Sequence, residues 1–393
     1  MEGPSWFTRH AALALVLVNL VMLAIAEAGL RLILGADKRP PESAYVVPDT
    51  LTHHDYRPGV TFVTRPSGAD HFPPAENSIN ALGLRGPLPG AKTRTRVLLV
   101  GDSFVQADEV LWEQTLTARL NQRLGARFEF LAHGIPSWAP TTEFSWIYHR
   151  GLALRPDRVV LFLCVNDFFR DGAFHDTDAI YRRQAVYQGV VPVRYRLPQP
   201  GVVVGVLQRS ALYQLLRSGL HRWRDWRDAT RPADNDSRPT IRGEIAWFSR
   251  SAADWPTDLR DNVDQTTTVV VSLYQYLDDR GVAMSACLVP SGFAWADEVR
   301  AGKEHPLYRW AADSCVSQQG LEGYLRQHCR NAGITWIDLQ AAFEQAKAAS
   351  PELLFNPLEG HWTAAGHAAA AAALEAFLVG PPTTRGTPSP PSP

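Results

Sequence analysis

The sequence lacks a charge excess of either sign: 39 Lys and Arg stand against 40 Asp and Glu, a formal net charge of −1. Without a basic surplus nucleic acid is not an expected partner, and without an acidic run there is no solvating arm. Cysteine is scarce, four in 393 residues, and no spacing among the four suits zinc. Cys164 and Cys287 sit in apolar, strand-like runs and read as small core residues. Cys315 and Cys329 lie in a more polar stretch and could bridge in an oxidising compartment.

What the chain does have is material for a sizeable core. It is 45% hydrophobic and 20% charged, and its length suits two or three domains, or one large domain with additions. Twelve tryptophans are many; most read as core, although a Trp-rich chain can also wall a cleft with them.

The first landmark is AALALVLVNLVMLAIAEAGLRLIL, residues 11–34, interrupted only by Asn19, Glu27 and Arg31. At about 1.5 Å per residue it is long enough to span a hydrocarbon core of ~30 Å. An uncleaved transmembrane helix fits this length better than a signal peptide, whose apolar core is shorter, although AIAEAG could pass as a cleavage site. Arg9 precedes the run, while Arg31, Lys38 and Arg39 lie at or beyond its end. That count mildly favours a cytoplasmic body. A long C-terminal domain crosses largely regardless of charge, so the expectation is a membrane-anchored protein whose body is periplasmic or extracellular.

Residues 35–93 are rich in Pro, Gly and His and read as a linker and irregular arm. From about Arg94 strand and helix patterns alternate. A strand at 96–100 is followed by a helix near 113–124. RFEFLAHG reads as a second strand, TTEFSWIYHRGLAL as a helix and DRVVLFLCVND as a third, buried strand. Later come a helix over 261–280, the strand VAMSACLVP, a helix over 319–332, the short strand ITWIDL and a terminal helix over 363–378. Such alternation predicts an α/β fold, a parallel sheet covered on both faces. Residues 170–260 interrupt it as an insertion, either a cap over the site or a solvated decoration. The tail at 381–393, rich in Pro, Ser and Thr, is expected to be disordered.

In RVLLVGDSF an apolar strand runs straight into Gly101-Asp102-Ser103. A serine at that point stands beyond the carboxyl end of a strand, where open α/β sheets bind ligands, beside backbone N–H groups of a helix start. Serine is a weak nucleophile and needs a base. His361 in NPLEGHWTAAGH, just before the last helix, could reach back to the sheet edge; otherwise it is an ordinary loop residue. Gly134 in AHGIPSW offers a bare backbone N–H, or a plain turn. Asn166 in CVND offers a side-chain amide, or a strand-ending turn. Asp102 reads as a turn-fixing carboxylate, Asp167 as a cap for the loop after the third strand, and His367 as a packing or solvent-facing residue.

These blocks, in this order, resemble the SGNH hydrolases, GDSL-like serine esterases, over roughly residues 80–380. VLLVGDSF, CVND and GHWTAAGH carry the likeness most strongly. INALGLRG and the apolar N-terminus are similar to membrane-anchored bacterial members. The resemblance implies a flavodoxin-like three-layer sandwich over 94–380. It implies Ser103 as nucleophile, His361 as base, and an oxyanion hole of the Ser103 N–H, the Gly134 N–H and the Asn166 amide. The family commonly places an aspartate two or three residues before the histidine. Here position 358 is Leu and 359 is Glu, so Glu359 is the expected triad acid and Asp338 a fallback. The implied activity is hydrolysis of O-acyl esters, O-acetyl above all, with an acylated cell-envelope glycan or other small ester as substrate and no metal or organic cofactor. An O-acyltransferase using the same site, or a degenerate glycan-binding module, are the rival readings.

Overall fold

The computed structural model describes residues 10–34, 45–66, 72–168, 210, 212–213, 247–290, 292, 318–356 and 360–380. The chain separates into two units, Met1–Pro41 with Pro198–Arg238, and Glu42–Leu197 with Pro239–Pro393. In the first unit, helix α1 (Ala11–Leu34) is continuous, and its Ala11–Leu30 stretch has a mean hydropathy of 2.3 with none of it buried. The carboxylate of Glu27 within it accepts hydrogen bonds from Ser210 Oγ at 2.9 Å and Leu212 N at 3.0 Å. Most of the 170–260 insertion, the 381–393 tail, Cys315 and residues 357–359 lie outside the described residues.

The second unit begins with a correction. The arm read as irregular contains two antiparallel strand pairs, β1 (Val46–Asp49) with β2 (His53–Tyr56) and β3 (Thr61–Thr64) with β4 (Ala75–Ser78). Strands of four residues are too short to show a period in sequence. Rings hold them instead: Tyr45 stacks on Phe62 at 3.9 Å, and Tyr56 lies 5.9 Å from the same ring.

The central sheet consists of β5 (Thr95–Gly101), β6 (Phe128–Gly134), β7 (Arg158–Leu163), β8 (Ala283–Leu288) and β9 (Thr335–Trp336). All neighbours are parallel, in the order β6-β5-β7-β8-β9, which is the flavodoxin-like order. Helices cover both faces. After the one-turn α2 (Ser103–Gln106) come α3 (Leu116–Leu124), α4 (Pro140–His149), α5 (Thr257–Asp278), α6 (Gln319–Ala332), α7 (Leu339–Ala349) and α8 (Ala364–Val379). α8 packs between α3 and α7, while α5 packs against α4 and α6. Val97–Val100 and Val159–Leu163 are accordingly fully buried. At the exposed edge, the Asn121 side chain from α3 donates to Phe130 O and accepts from Phe130 N, which occupies backbone groups another strand could otherwise pair with.

The expected strands and helices are all present, with boundaries moved by a few residues. One helix, α7, was not anticipated. Its N-cap is Asp338, whose Oδ1 accepts from Ala341 N at 3.1 Å, while Oδ2 pairs with Arg326 at 2.9 Å. The fallback triad acid is therefore a helix cap with a cationic partner of its own. Cys329 is buried as a free thiol; the possible bridge to Cys315 lies outside the described residues.

His367 in α8 is 2% exposed and accepts from Leu116 N through Nδ1 at 3.4 Å. Burial, assisted by nearby cations, pushes it down to about 3. Between that value and the unfolded one near 6.5, only the unfolded chain binds the proton, so stability falls as pH drops through this window. At pH 5 the cost is about 2 kcal/mol. His367→Gln keeps an acceptor and removes the titration. Urea unfolding at pH 7.5 and 5 should show the wild type losing about that much more stability than the variant; equal losses in both would contradict the assignment.

Candidate active site

β5 ends at Gly101, which pairs with Gly134 at the end of β6. Both positions exclude a side chain. A Cβ on Gly101 would lie 2.7 Å from Val105 Cγ2, and one on Gly134 only 2.4 Å from Asp102 O. The bare strand ends let the Asp102-Ser103 turn settle onto the sheet. Asp102 caps α2, its Oδ1 accepting from Phe104 N at 3.0 Å, while Oδ2 faces Asn166 Nδ2 at 3.5 Å. Burial raises the Asp102 carboxyl, and the Phe104 N–H, the His361 charge, Asn166 and the Cys164 thiol pull it back. Asp102 is thus the turn-fixing carboxylate expected of it, and it also orients the amide of Asn166.

Asn166 lies in the 3-10 turn Val165–Phe168 after β7. Asp167 braces this turn by accepting from Cys164 N at 2.7 Å, and Asn262 of α5 donates to Phe168 O at 2.8 Å. β5 lies between β6 and β7, so Ser103, Gly134 and Asn166 follow three adjacent strands at the point where the strand order reverses.

His361 arrives from the loop before α8. Trp362 Nε1 donates to Pro290 O at 2.9 Å, Asn356 N to His361 O at 2.7 Å, and Gly292 N to Gly360 O at 3.1 Å. Gly292 sits so close that a Cβ there would lie 2.6 Å from the Gly360 Cα, and Gly360 itself has φ +70°. This ties the loop to the chain leaving β8. His361 Nε2 stands 2.9 Å from Ser103 Oγ. The Phe104 ring meets the imidazole edge-on at 5.1 Å.

The acid facing the other imidazole nitrogen is Glu109. Its Oε1 lies 2.9 Å from His361 Nδ1, and the residue is 7% exposed. A carboxylate there favours the proton on Nδ1, leaving Nε2 to accept from the serine hydroxyl. Glu359, the acid expected from the sequence, lies outside the described residues. The family pattern gives no sign of Glu109, which follows Ser103 by six positions, because that pattern places the acid beside the histidine. In QADEVLWE it is one of three carboxyls, and only the turn tells them apart. α2 stops at Ala107, in a left-handed conformation at φ 60°, and Val110 N closes a turn onto Ala107 O at 3.3 Å. That turn carries Glu109 back to the imidazole. The neighbouring Asp108 is raised to about 7 by burial and by the Glu109 charge, against the pull of Arg85 and of hydrogen bonds from Tyr56 and Gln106.

No protein-family profile matches this sequence, and no curated protein sequence matches it. Solved structures that it is similar to include an acetyl xylan esterase, AlAXEase, at 12% identity and TM-score 0.38, covering 72% of this chain and all of that one. Another is a catalytic mutant of an acetylxylan esterase from Geobacillus stearothermophilus, at 12% identity and TM-score 0.39, covering 73% of this chain and 94% of that one. A third is a GDSL-like lipase from Bacteroides thetaiotaomicron, at 10% identity and TM-score 0.36, covering 74% of this chain and 91% of that one.

Proposed function

We propose that this chain is a serine hydrolase of the SGNH type that cleaves O-acyl esters. The observation that carries the reading is the unbroken sequence Ser103 Oγ, His361, Glu109, with 2.9 Å at each link, at the switch point of a parallel sheet. Ser103 Oγ attacks the ester carbonyl while its proton passes to His361 Nε2. The imidazolium, held by Glu109, then protonates the departing alcohol oxygen, leaving an acyl-enzyme. Water entering against the acyl carbonyl gives its proton to the same nitrogen. The second tetrahedral intermediate collapses to the free acid and regenerates Ser103.

The negative oxygen formed in each addition is received by the N–H groups of Ser103 and Gly134 and by Asn166 Nδ2. One hydrogen of that amide faces Asp102, which leaves the other for the oxyanion. A donor of this kind contributes roughly 3–4 kcal/mol. Asn166→Ala should therefore lower kcat about 100-fold or more with little change in KM; a loss under tenfold would remove Asn166 from the hole.

α1 supports a membrane-anchored enzyme; with its body outside the cytoplasm, as a long C-terminal domain allows, O-acetyl groups on envelope glycans suit an enzyme held there. A carboxylate from Glu109 at 2.9 Å from His361 Nδ1 weighs against a degenerate binding module. The test uses the full chain in detergent, exposed to a fluorophosphonate probe and to nitrophenyl acetate. Covalent labelling mapped to the Ser103 peptide, with turnover of the ester, is the expected result. Folded protein that neither labels nor turns over would sink the reading.

A further inference from the structure

Glu109 sits in a poor place for a catalytic acid to hold still. It stands two positions after Ala107, a non-glycine residue with φ 60°, and adjoins a second, half-buried carboxyl, Asp108. The turn that carries it makes one backbone hydrogen bond across itself, Val110 N to Ala107 O. What surrounds that turn comes from the N-terminal arm. Arg85, 7% exposed, donates through Nη1 to Gln106 O at 3.0 Å and to Ala107 O, and through Nη2 to Val110 O at 2.6 Å. Asn77, fully buried on β4, donates to Asp108 O at 3.0 Å. Tyr56, at the end of β2, donates its hydroxyl to Asp108 Oδ1 at 3.1 Å. The carbonyls on either side of Glu109, at 106, 107, 108 and 110, are thus all claimed by two arm side chains, and the Asp108 carboxyl by a third.

We infer that Arg85, Asn77 and Tyr56 are positioning residues for the triad acid, and that the arm exists in this protein partly to hold Glu109 against His361. The inference rests on the hydrolase reading and extends it to residues that touch neither substrate nor reacting atoms. Two features fit a positioning role better than general support of the fold. All three side chains converge on one five-residue turn, and the one buried cation among them, Arg85, offsets the adjacent carboxyls of Asp108 and Glu109, which would otherwise repel each other. Arg85 feels both Asp108 and Glu109 electrostatically, so its loss frees the turn and removes that compensation together.

The test is a double-mutant cycle on the full chain in detergent, read by nitrophenyl acetate kinetics and by the rate of fluorophosphonate labelling. Misplacement of a catalytic group by about 1 Å can cost on the order of 100-fold. Arg85→Gln is expected to lower kcat by about that much with KM changed less than about threefold, and Arg85→Lys to recover part of it. Tyr56→Phe, which removes a single hydroxyl and keeps the ring packing, is expected to lower kcat about fivefold and covers the case in which Arg85→Gln does not fold. In a Glu109→Gln background both losses should shrink to within about twofold, because the group they position has gone. Undiminished losses in that background would mean that the arm acts through the fold alone and would overturn the inference, as would wild-type kcat in both single variants. Inert wild-type protein would instead overturn the hydrolase reading, and this one with it.

Discussion

Ser103→Ala is expected to abolish covalent labelling by a fluorophosphonate and to lower ester turnover by roughly 10⁴–10⁶-fold. Its stability should stay near that of the wild type. The size follows from the geometry. Ser103 Oγ is the atom that faces His361 Nε2, so its removal leaves the base with nothing to deprotonate but water. The fold should tolerate the change because the turn is fixed from either side of the serine. Asp102 caps α2 by accepting from Phe104 N, and the glycines at 101 and 134 give the turn its room. Residual activity would come from the oxyanion hole, which polarises the carbonyl without a nucleophile. Turnover by the variant within tenfold of the wild type would place the chemistry elsewhere.

Glu109→Gln is expected to lower kcat by about 10³-fold, with substrate binding little changed. A glutamine of the same length can occupy the turn. It carries no charge to stabilise the imidazolium, and its amide can present a donor to Nδ1 and so favour the wrong tautomer. The matched variant Glu359→Gln separates the geometry from the expectation drawn from the sequence. With Glu109 already at 2.9 Å from Nδ1, substitution at 359 should change kcat by less than about fivefold. A large loss at 359 beside near-normal activity at 109 would return the role of acid to the histidine loop. Side-by-side kinetics of the two variants, with thermal unfolding to confirm folding, decide the matter.

The sheet was legible because a strand buried on both faces must be apolar throughout, and Val97–Val100 and Val159–Leu163 are. The helices α6 and α8 were legible from periodicity and composition. The 257–260 turn of α5 was not, since Leu259 is its one apolar residue and a single residue makes no stripe. α7 was hard to read because it buries only Leu339 and Phe343, too few to set a period apart from the strand before it, and its start signal, Asp338, also reads as a candidate acid. Ser103, Asn166 and His361 could be singled out as candidates because each follows a strand or precedes the last helix, positions that topology brings together. Glu109 and the arm could not. Their contribution depends on hydrogen bonds to backbone carbonyls, which leave no periodic trace. The motif INALGLRG signalled family likeness, but nothing in it announced that Arg85 would reach across to the turn after Ser103.

The convergence of the arm on the Glu109 turn means that this domain has two different beginnings. Measured by sheet and helices, it starts at Thr95, where β5 enters the core. Measured by what the triad needs, it starts some forty residues earlier, at the strands that bring in Tyr56 and Asn77. A chain trimmed to the first boundary would retain Ser103, Glu109, Asn166 and His361 in sequence, yet lack the three arm side chains, Tyr56, Asn77 and Arg85, that tie down the acid's turn. Between the two boundaries lies a stretch that a composition-based parser would discard as linker, and losing it would disarm the enzyme without deleting one residue of its triad.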